Sequence, residues 1–335
     1  MEELIGQLMM LGFHGKKVPV YLKKMILEEG IGGVILFSRN IESAPQVKEL
    51  ISELQELSKR RDPESTLLIS IDQEGGRVFR LPPPFRQYPS YRDMASSKSV
   101  FLLRDSSESL AAELVELGIN MNMAPVLDVD TNPENPVIGD RSFGPDPHRV
   151  AELGTVVFDR FSKMGLLAVG KHFPGHGDTS LDSHIELPTV LKNEKELEQT
   201  ELVPFRALIS KGLQAIMTAH ILFPKIDGKF PATLSKFLLR DLLRKSMNFE
   251  GVLLSDDLEM KGISDNFTVE EIVQNGLEAT LDIFLCCHTE EVQKNYLSEL
   301  KKRYRENGIL KENILFSIKR LIRLKKKLKI NRINS

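Results

Sequence analysis

The chain has 335 residues, 41% hydrophobic and 27% charged, with a formal charge of −2 and an isoelectric point near 6.4. This is the make-up of an ordinary folded chain with material for one large core, and it offers no net positive charge to attract nucleic acid or an anionic membrane. No apolar run approaches the roughly 18 residues a bilayer crossing needs, and the opening Met1-Glu2-Glu3-Leu4 has no basic, apolar character, so no secretory leader is expected.

Short apolar, β-branched runs alternate with longer amphipathic stretches from end to end. In chain order, strands are expected at residues 8–13, 33–37, 67–72, 119–123, 166–171, 215–219, 251–256 and 281–286. Helical periodicity fills the intervals at 44–57, 110–117, 149–164, 194–210, 234–246 and 269–278. Such alternation implies right-handed parallel βαβ units. Eight of them imply closure into a TIM-like (β/α)8 barrel, a single domain over 1–335, with a doubly wound open sheet as the competing arrangement. Cys286 and Cys287 are neighbours and cannot build a disulfide framework, so a reducing cytoplasm is the expected compartment. A last helix at about 312–330 carries Ile314, Ile318, Leu321, Leu324 and Leu328 at helical spacing. It is expected to pack on the barrel and turn Lys325-Lys326-Lys327 to solvent.

Two connections, 81–92 and 128–147, are too long to be simple links, and long irregular loops in compact domains usually serve function. Four strand ends carry polar clusters: Asp72-Gln73-Glu74-Gly75-Gly76-Arg77 with Arg80 beyond, Gly139-Asp140-Arg141-Ser142, the stretch 171–184, and Ser255-Asp256-Asp257-Leu258-Glu259. The third packs three His, two Asp and a Lys into fourteen residues. In a parallel barrel these clusters converge on one face, where such enzymes place their sites. Asp257 alone reads equally well as a helix cap.

This set of groups suits glycoside chemistry. Carboxylates accept hydrogen bonds from vicinal hydroxyls, while Lys, Arg and His donate to the same oxygens. A further carboxylate must trap the developing cation and a proton donor must serve the leaving oxygen; Asp256 can be the first and His184 the second, with Asp182 holding the imidazole. His172, His176, Asp178 and His184 could instead hold a metal ion. The Pro174-Gly175 turn separates the first two imidazoles, however, so no metal and no cofactor is expected. His176 and Asp178 have a plain alternative role in holding their loop together.

The motifs Ile71-Asp72-Gln73-Glu74-Gly75-Gly76-Arg77-Val78, Lys171-His172-Phe173-Pro174-Gly175-His176-Gly177, Asp182-Ser183-His184 and Ser255-Asp256-Asp257-Leu258-Glu259-Met260 resemble the signatures of glycoside hydrolase family 3. More narrowly, they resemble those of its single-domain bacterial β-N-acetylglucosaminidases. The resemblance covers most of the chain in the right order. It implies a barrel that removes terminal β-linked N-acetylglucosamine with retention, through a glycosyl-aspartate. By position, Asp256 matches the nucleophile, His184 the acid/base and Asp182 its partner. Asp72, Arg80, Arg141, Lys171 and His172 match residues that hold the sugar. It further implies a carbohydrate substrate of muropeptide type, trimmed in the cytoplasm during cell-wall recycling. The segment carrying His184 is expected to move, standing away from Asp256 in an empty site and closing over substrate. A family 3 β-glucosidase or phosphorylase, a metal-dependent hydrolase and a non-catalytic sugar-binding protein are the competing readings. The matching residues all face the sugar removed, so neither the leaving group nor the oligomeric state is specified.

Overall fold

The computed structural model describes residues 2–97, 99–180, 186–306 and 308–333, with side chains as far as Leu328. Asp182 and His184 lie outside the described residues. Eight strands are β1 (Met9–Leu11), β2 (Gly33–Leu36), β3 (Leu68–Ile71), β4 (Met121–Asn122), β5 (Leu167–Phe173), β6 (Ala215–Thr218), β7 (Val252–Leu254) and β8 (Phe284–Cys286). They form one sheet in the order β7-β6-β5-β4-β3-β2-β1-β8, every neighbouring pair parallel. A parallel bridge between Leu254 and Ile283 joins the two outer strands, with Ser255 N–H donating to the Ile283 carbonyl at 3.0 Å. The result is the TIM-like barrel, and the open-sheet alternative is set aside. Every strand residue is buried, which explains why the strands read as mostly apolar runs, broken chiefly by Ser70, Asn122, Lys171, His172 and Thr218.

The helix Ala44–Arg61 shows how the outer ring is specified. Ser43 caps it by accepting from the Gln46 N–H, a proline sits in its first turn, and Lys59, Arg60 and Arg61 close it at the negative end of the dipole. Val47, Leu50, Ile51, Leu54 and Leu57 fall on one face and are buried. Each such side chain contributes roughly 1.5–3 kcal/mol. Leu54→Ala, at a fully buried position, would cost about 2–5 kcal/mol.

Three helical expectations need correction. The stretch 194–210 is two helices, Glu194–Gln199 and Leu202–Ser210. Pro204 has no N–H to donate to the Thr200 carbonyl, so a new helix has to begin just before it. The segment 234–246 starts later, as a wide π-type helix at Phe237–Ser246. The last helix spans Gly308–Ile333 and buries all five apolar residues named above. Its basic run is split, however: Lys326 and Lys327 face solvent, whereas Lys325 is buried. Lys325 Nζ donates to Gln7 Oε1 at 2.6 Å and to the Gly32 carbonyl at 2.8 Å, and burial without a carboxylate pulls its pKa down to about 7. Cys286 and Cys287 are both free and buried. No helix among the described residues is long and apolar enough to cross a membrane.

Candidate active site

Beyond the carboxyl ends of β3 to β7 lies a hollow of about 210 Å³, lined by Asp72, Arg77, Arg80, Arg141, Lys171, His172, His176, Met217 and Asp256 among others. Pockets for drug-sized ligands run to roughly 300–1,000 Å³, so this one suits a smaller unit. A larger cleft of about 730 Å³ separates residues 20–29 from the helix Glu290–Glu306. It lies between outer helices, away from the strand ends, and does not gather the chemistry that the smaller hollow does.

The floor of the hollow is a buried ion network. Lys171 Nζ sits 2.7 Å from Asp72 Oδ1 and 2.7 Å from Glu74 Oε1. Arg141 grips Glu74 with both arms, Nε to Oε2 at 2.9 Å and Nη2 to Oε1 at 2.8 Å. Two carboxylates thus face two cations, and Arg80 approaches Asp72 from the side at 3.8 Å. Burial alone would raise the Glu74 carboxyl, but Arg141 and Lys171 overcome it and hold the group well below the usual carboxylate range. Burial likewise opposes the charge on Lys171, and Asp72 with Glu74 reverses that, so its pKa rises. Glu74, Lys171 and Arg141 are thereby held in their charged forms, and the network presents fixed charges to a ligand.

β5 continues past its expected end to Phe173, which puts His172 on the strand itself. Its Nδ1 lies 2.7 Å from Asp128 Oδ2, leaving Nε2 to point at Arg141 Nη2, 3.5 Å away. Asp128 is fully buried; its other oxygen accepts from the His172 and His176 backbone N–H groups at 3.2 and 2.6 Å. Burial raises this carboxyl, and His172 outweighs burial to bring it below its ordinary value. His176 is fully enclosed, and burial together with His172 drives its pKa down to about 4. Its Nδ1 meets Thr179 Oγ1 at 2.9 Å, and Asp178 accepts from Thr131 Oγ1 at 2.8 Å. The two residues therefore brace their loop, as their plainer reading has it. Gly177 is needed there because a Cβ would stand 1.8 Å from the Val129 carbonyl oxygen.

The two long connections supply the remaining wall. Arg141 stands on a short 3-10 turn, Gly139–Arg141, and that turn is tied to the β3 connection. Arg77 Nε reaches Asp140 at 2.8 Å, Arg92 Nη2 reaches Asp130 at 2.5 Å, and Tyr91 stacks on Phe143 at 4.5 Å. Gly75 adopts φ +106° with the Pro89 carbonyl oxygen 2.3 Å from where a Cβ would be, a turn closed to other residues. Asp256 follows β7 directly, its Oδ1 accepting from the Asp257 N–H at 2.8 Å. Asp257 is not a helix cap: Oδ1 receives the Glu259 and Cys287 N–H groups at 3.2 and 3.1 Å, which fastens the β7 end to the β8 end.

Asp72, Arg80, Arg141, Lys171, His172 and Asp256, far apart in the sequence, thus line one hollow. Two members of the arrangement were not assigned from sequence. Glu74 stood inside a recognised cluster without a role, and Asp128 closes the apolar run Val126-Leu127, a strand-end signal that could have revealed it. Among the described residues no three His, Cys, Asp or Glu side chains gather as metal ligands do.

The glycosyl hydrolase family 3 N terminal domain matches residues 1–324. The chain belongs to glycoside hydrolase family 3. Among curated members it is 37% identical over 296 residues to the Beta-hexosaminidase of Nitrosospira multiformis, covering 87% of this chain and 83% of that one. It is 36% identical over 298 residues to the Beta-hexosaminidase of Haemophilus influenzae, with coverage of 88% and 83%. Among solved structures, a glycoside hydrolase family 3 β-N-acetylglucosaminidase from Paenibacillus sp. matches with a TM-score of 0.94 at 40% identity. That match covers 99% of this chain, which spans 63% of the longer enzyme. Native NagZ from Neisseria gonorrhoeae matches with a TM-score of 0.77 at 30% identity, covering 94% of this chain and 97% of that one. This family 3 chain is therefore a glycoside hydrolase.

Proposed function

We propose that the protein is a retaining exo-β-N-acetylglucosaminidase that acts as one catalytic unit over 1–335. The observation that carries this is the shared hollow, in which Asp256 faces a fixed array of donors and acceptors sized for one sugar. Asp72 accepts from sugar hydroxyls, while Arg80, Arg141, Lys171 and His172 donate to or orient them. Asp256 attacks C1 as His184 gives a proton to the departing oxygen, forming a glycosyl-aspartate. His184 then takes a proton from water, which attacks C1 and frees Asp256. Asp182 holds the His184 imidazole in the required tautomer. The names of the relatives support the N-acetyl sugar, and a muropeptide-like substrate in the cytoplasm is the setting we assign.

The test is release of the chromophore from an aryl β-N-acetylglucosaminide beside the matching glucoside, in phosphate-free buffer with a chelator. Hydrolysis of the first alone is expected. Cleavage only of the glucoside, dependence on added phosphate, or loss of activity in chelator would each overturn the reading.

A further inference from the structure

The lining residues of the hollow lie on or follow β3, β4, β5, β6 and β7; among the described residues none of them lies on or after β8, β1 or β2, the three adjacent strands that complete the ring. That vacant sector of the rim carries aromatic side chains. His14 follows β1, Phe37 follows β2 and His288 follows β8. The rings of Phe37 and His288 lie 5.8 Å apart, and those of His14 and His288 lie 6.3 Å apart. His14 and His288 are exposed and Phe37 is half-buried, so the group meets solvent at the same end of the barrel as the hollow.

Two contacts join this group to the site. Arg80, 3.8 Å from Asp72, also stands 5.7 Å from the centre of the Phe37 ring. Asp257, next in sequence to Asp256, holds His288 Nε2 at 3.2 Å. The rings are also fixed in place. Arg39 stacks on Phe37 at 4.2 Å while donating to the Phe13 carbonyl at 2.8 Å and the Cys287 carbonyl at 2.5 Å, which ties the ends of all three strands together. A hydrophobic core gains nothing from two imidazoles turned to water. A ring-shaped leaving group, however, gains contact area at low ordering cost from a preoriented aromatic surface just outside the hollow.

We propose that Phe37, His288 and His14 form the surface on which the departing pyranose ring lies, next to the sugar that Asp256 attacks. This rests on the proposed glycosidase reading and adds to it which side chains receive the ring of the leaving group.

The experiment compares kcat/KM for N,N′-diacetylchitobiose with kcat/KM for β-N-acetylglucosaminyl fluoride, whose leaving group has no ring. In Phe37→Ala and in His288→Ala the disaccharide-to-fluoride ratio is expected to fall about tenfold, or ~1.4 kcal/mol. The ring-retaining Phe37→Tyr and His288→Phe should keep it within about twofold, a split that tracks aromatic packing rather than charge. His288→Ala lies away from Arg80, so its effect cannot come through the Arg80–Asp72 contact. An unchanged ratio in both alanine variants, or an equal fall in the ring-retaining ones, overturns the proposal while the glycosidase reading stands. A wild-type enzyme that cleaves neither substrate overturns the glycosidase reading itself, and the proposal with it.

Discussion

Glu74 and Arg141 meet end to end through two parallel hydrogen bonds of 2.8 and 2.9 Å, with the Glu74 carboxylate buried beneath the hollow that Arg141 lines. Because Glu74 is enclosed and Arg141 nearly so, removing one charge leaves the other poorly compensated. Glu74→Gln is expected to cost about 3–5 kcal/mol, read as a shift in the denaturation midpoint at pH 7. The folded carboxyl titrates below its ordinary 4.5. Its contribution is therefore complete above pH 4.5 and is lost as pH falls toward the lowered value. The gap between wild type and variant should accordingly narrow in acid, and a gap that widens there would contradict the pairing.

Asp128 aims His172. Asp128→Asn keeps the size but turns one acceptor into a donor, where three N–H groups converge. The expected result is a fall in kcat/KM on the chromogenic substrate of roughly ten- to a hundredfold, matching the ~1.5–3 kcal/mol of a hydrogen bond to a charged group. If kcat/KM stayed within twofold of wild type, His172 would be held by something else.

His176 titrates in the opposite sense to a paired carboxylate. The unfolded chain binds a proton there near pH 6.5, while the fold keeps the ring neutral down to about 4. Across that window acid favours unfolding, by on the order of 3 kcal/mol at its lower end. His176→Asn should flatten the dependence of stability on pH between 6.5 and 4, checked by urea denaturation at several pH values. An unaltered slope would show that the burial of this imidazole has no such effect.

Asp256→Ala removes the proposed nucleophile and leaves the ion network intact. Turnover is expected to drop about a thousandfold or more, with N-acetylglucosamine still binding within a few-fold of wild type by calorimetry. Near-normal turnover would reassign the nucleophile.

The barrel was legible because parallel strands buried on both faces are mostly apolar; seven of the eight expected strands contain the observed one, and the eighth, 166–171, overlaps β5, which runs on to Phe173. Boundaries moved where backbone chemistry intervenes, as at Pro204. The residues that line the hollow were legible as a group because charged side chains at strand ends have few structural reasons to be there. Glu74 and Asp128 were less so, since a carboxylate whose partners come from other strands looks in sequence like any other loop acid. Lys325 escaped for a related reason: its neighbours in sequence are solvated, and only the packing of the last helix against Gln7 and Gly32 encloses it. The expectation that His184 moves toward Asp256 falls on the segment outside the described residues.

The cluster beneath the hollow draws Asp72 and Glu74 from the connection after β3, Arg141 from the connection after β4 and Lys171 from β5 itself. Whoever grafts a foreign loop onto this scaffold therefore inherits an unbalanced charge unless its counterparts travel with it. Retargeting the enzyme by exchanging segments would have to treat these three pieces as a single transplantable cassette, while the rim beyond β8, β1 and β2 can be varied separately.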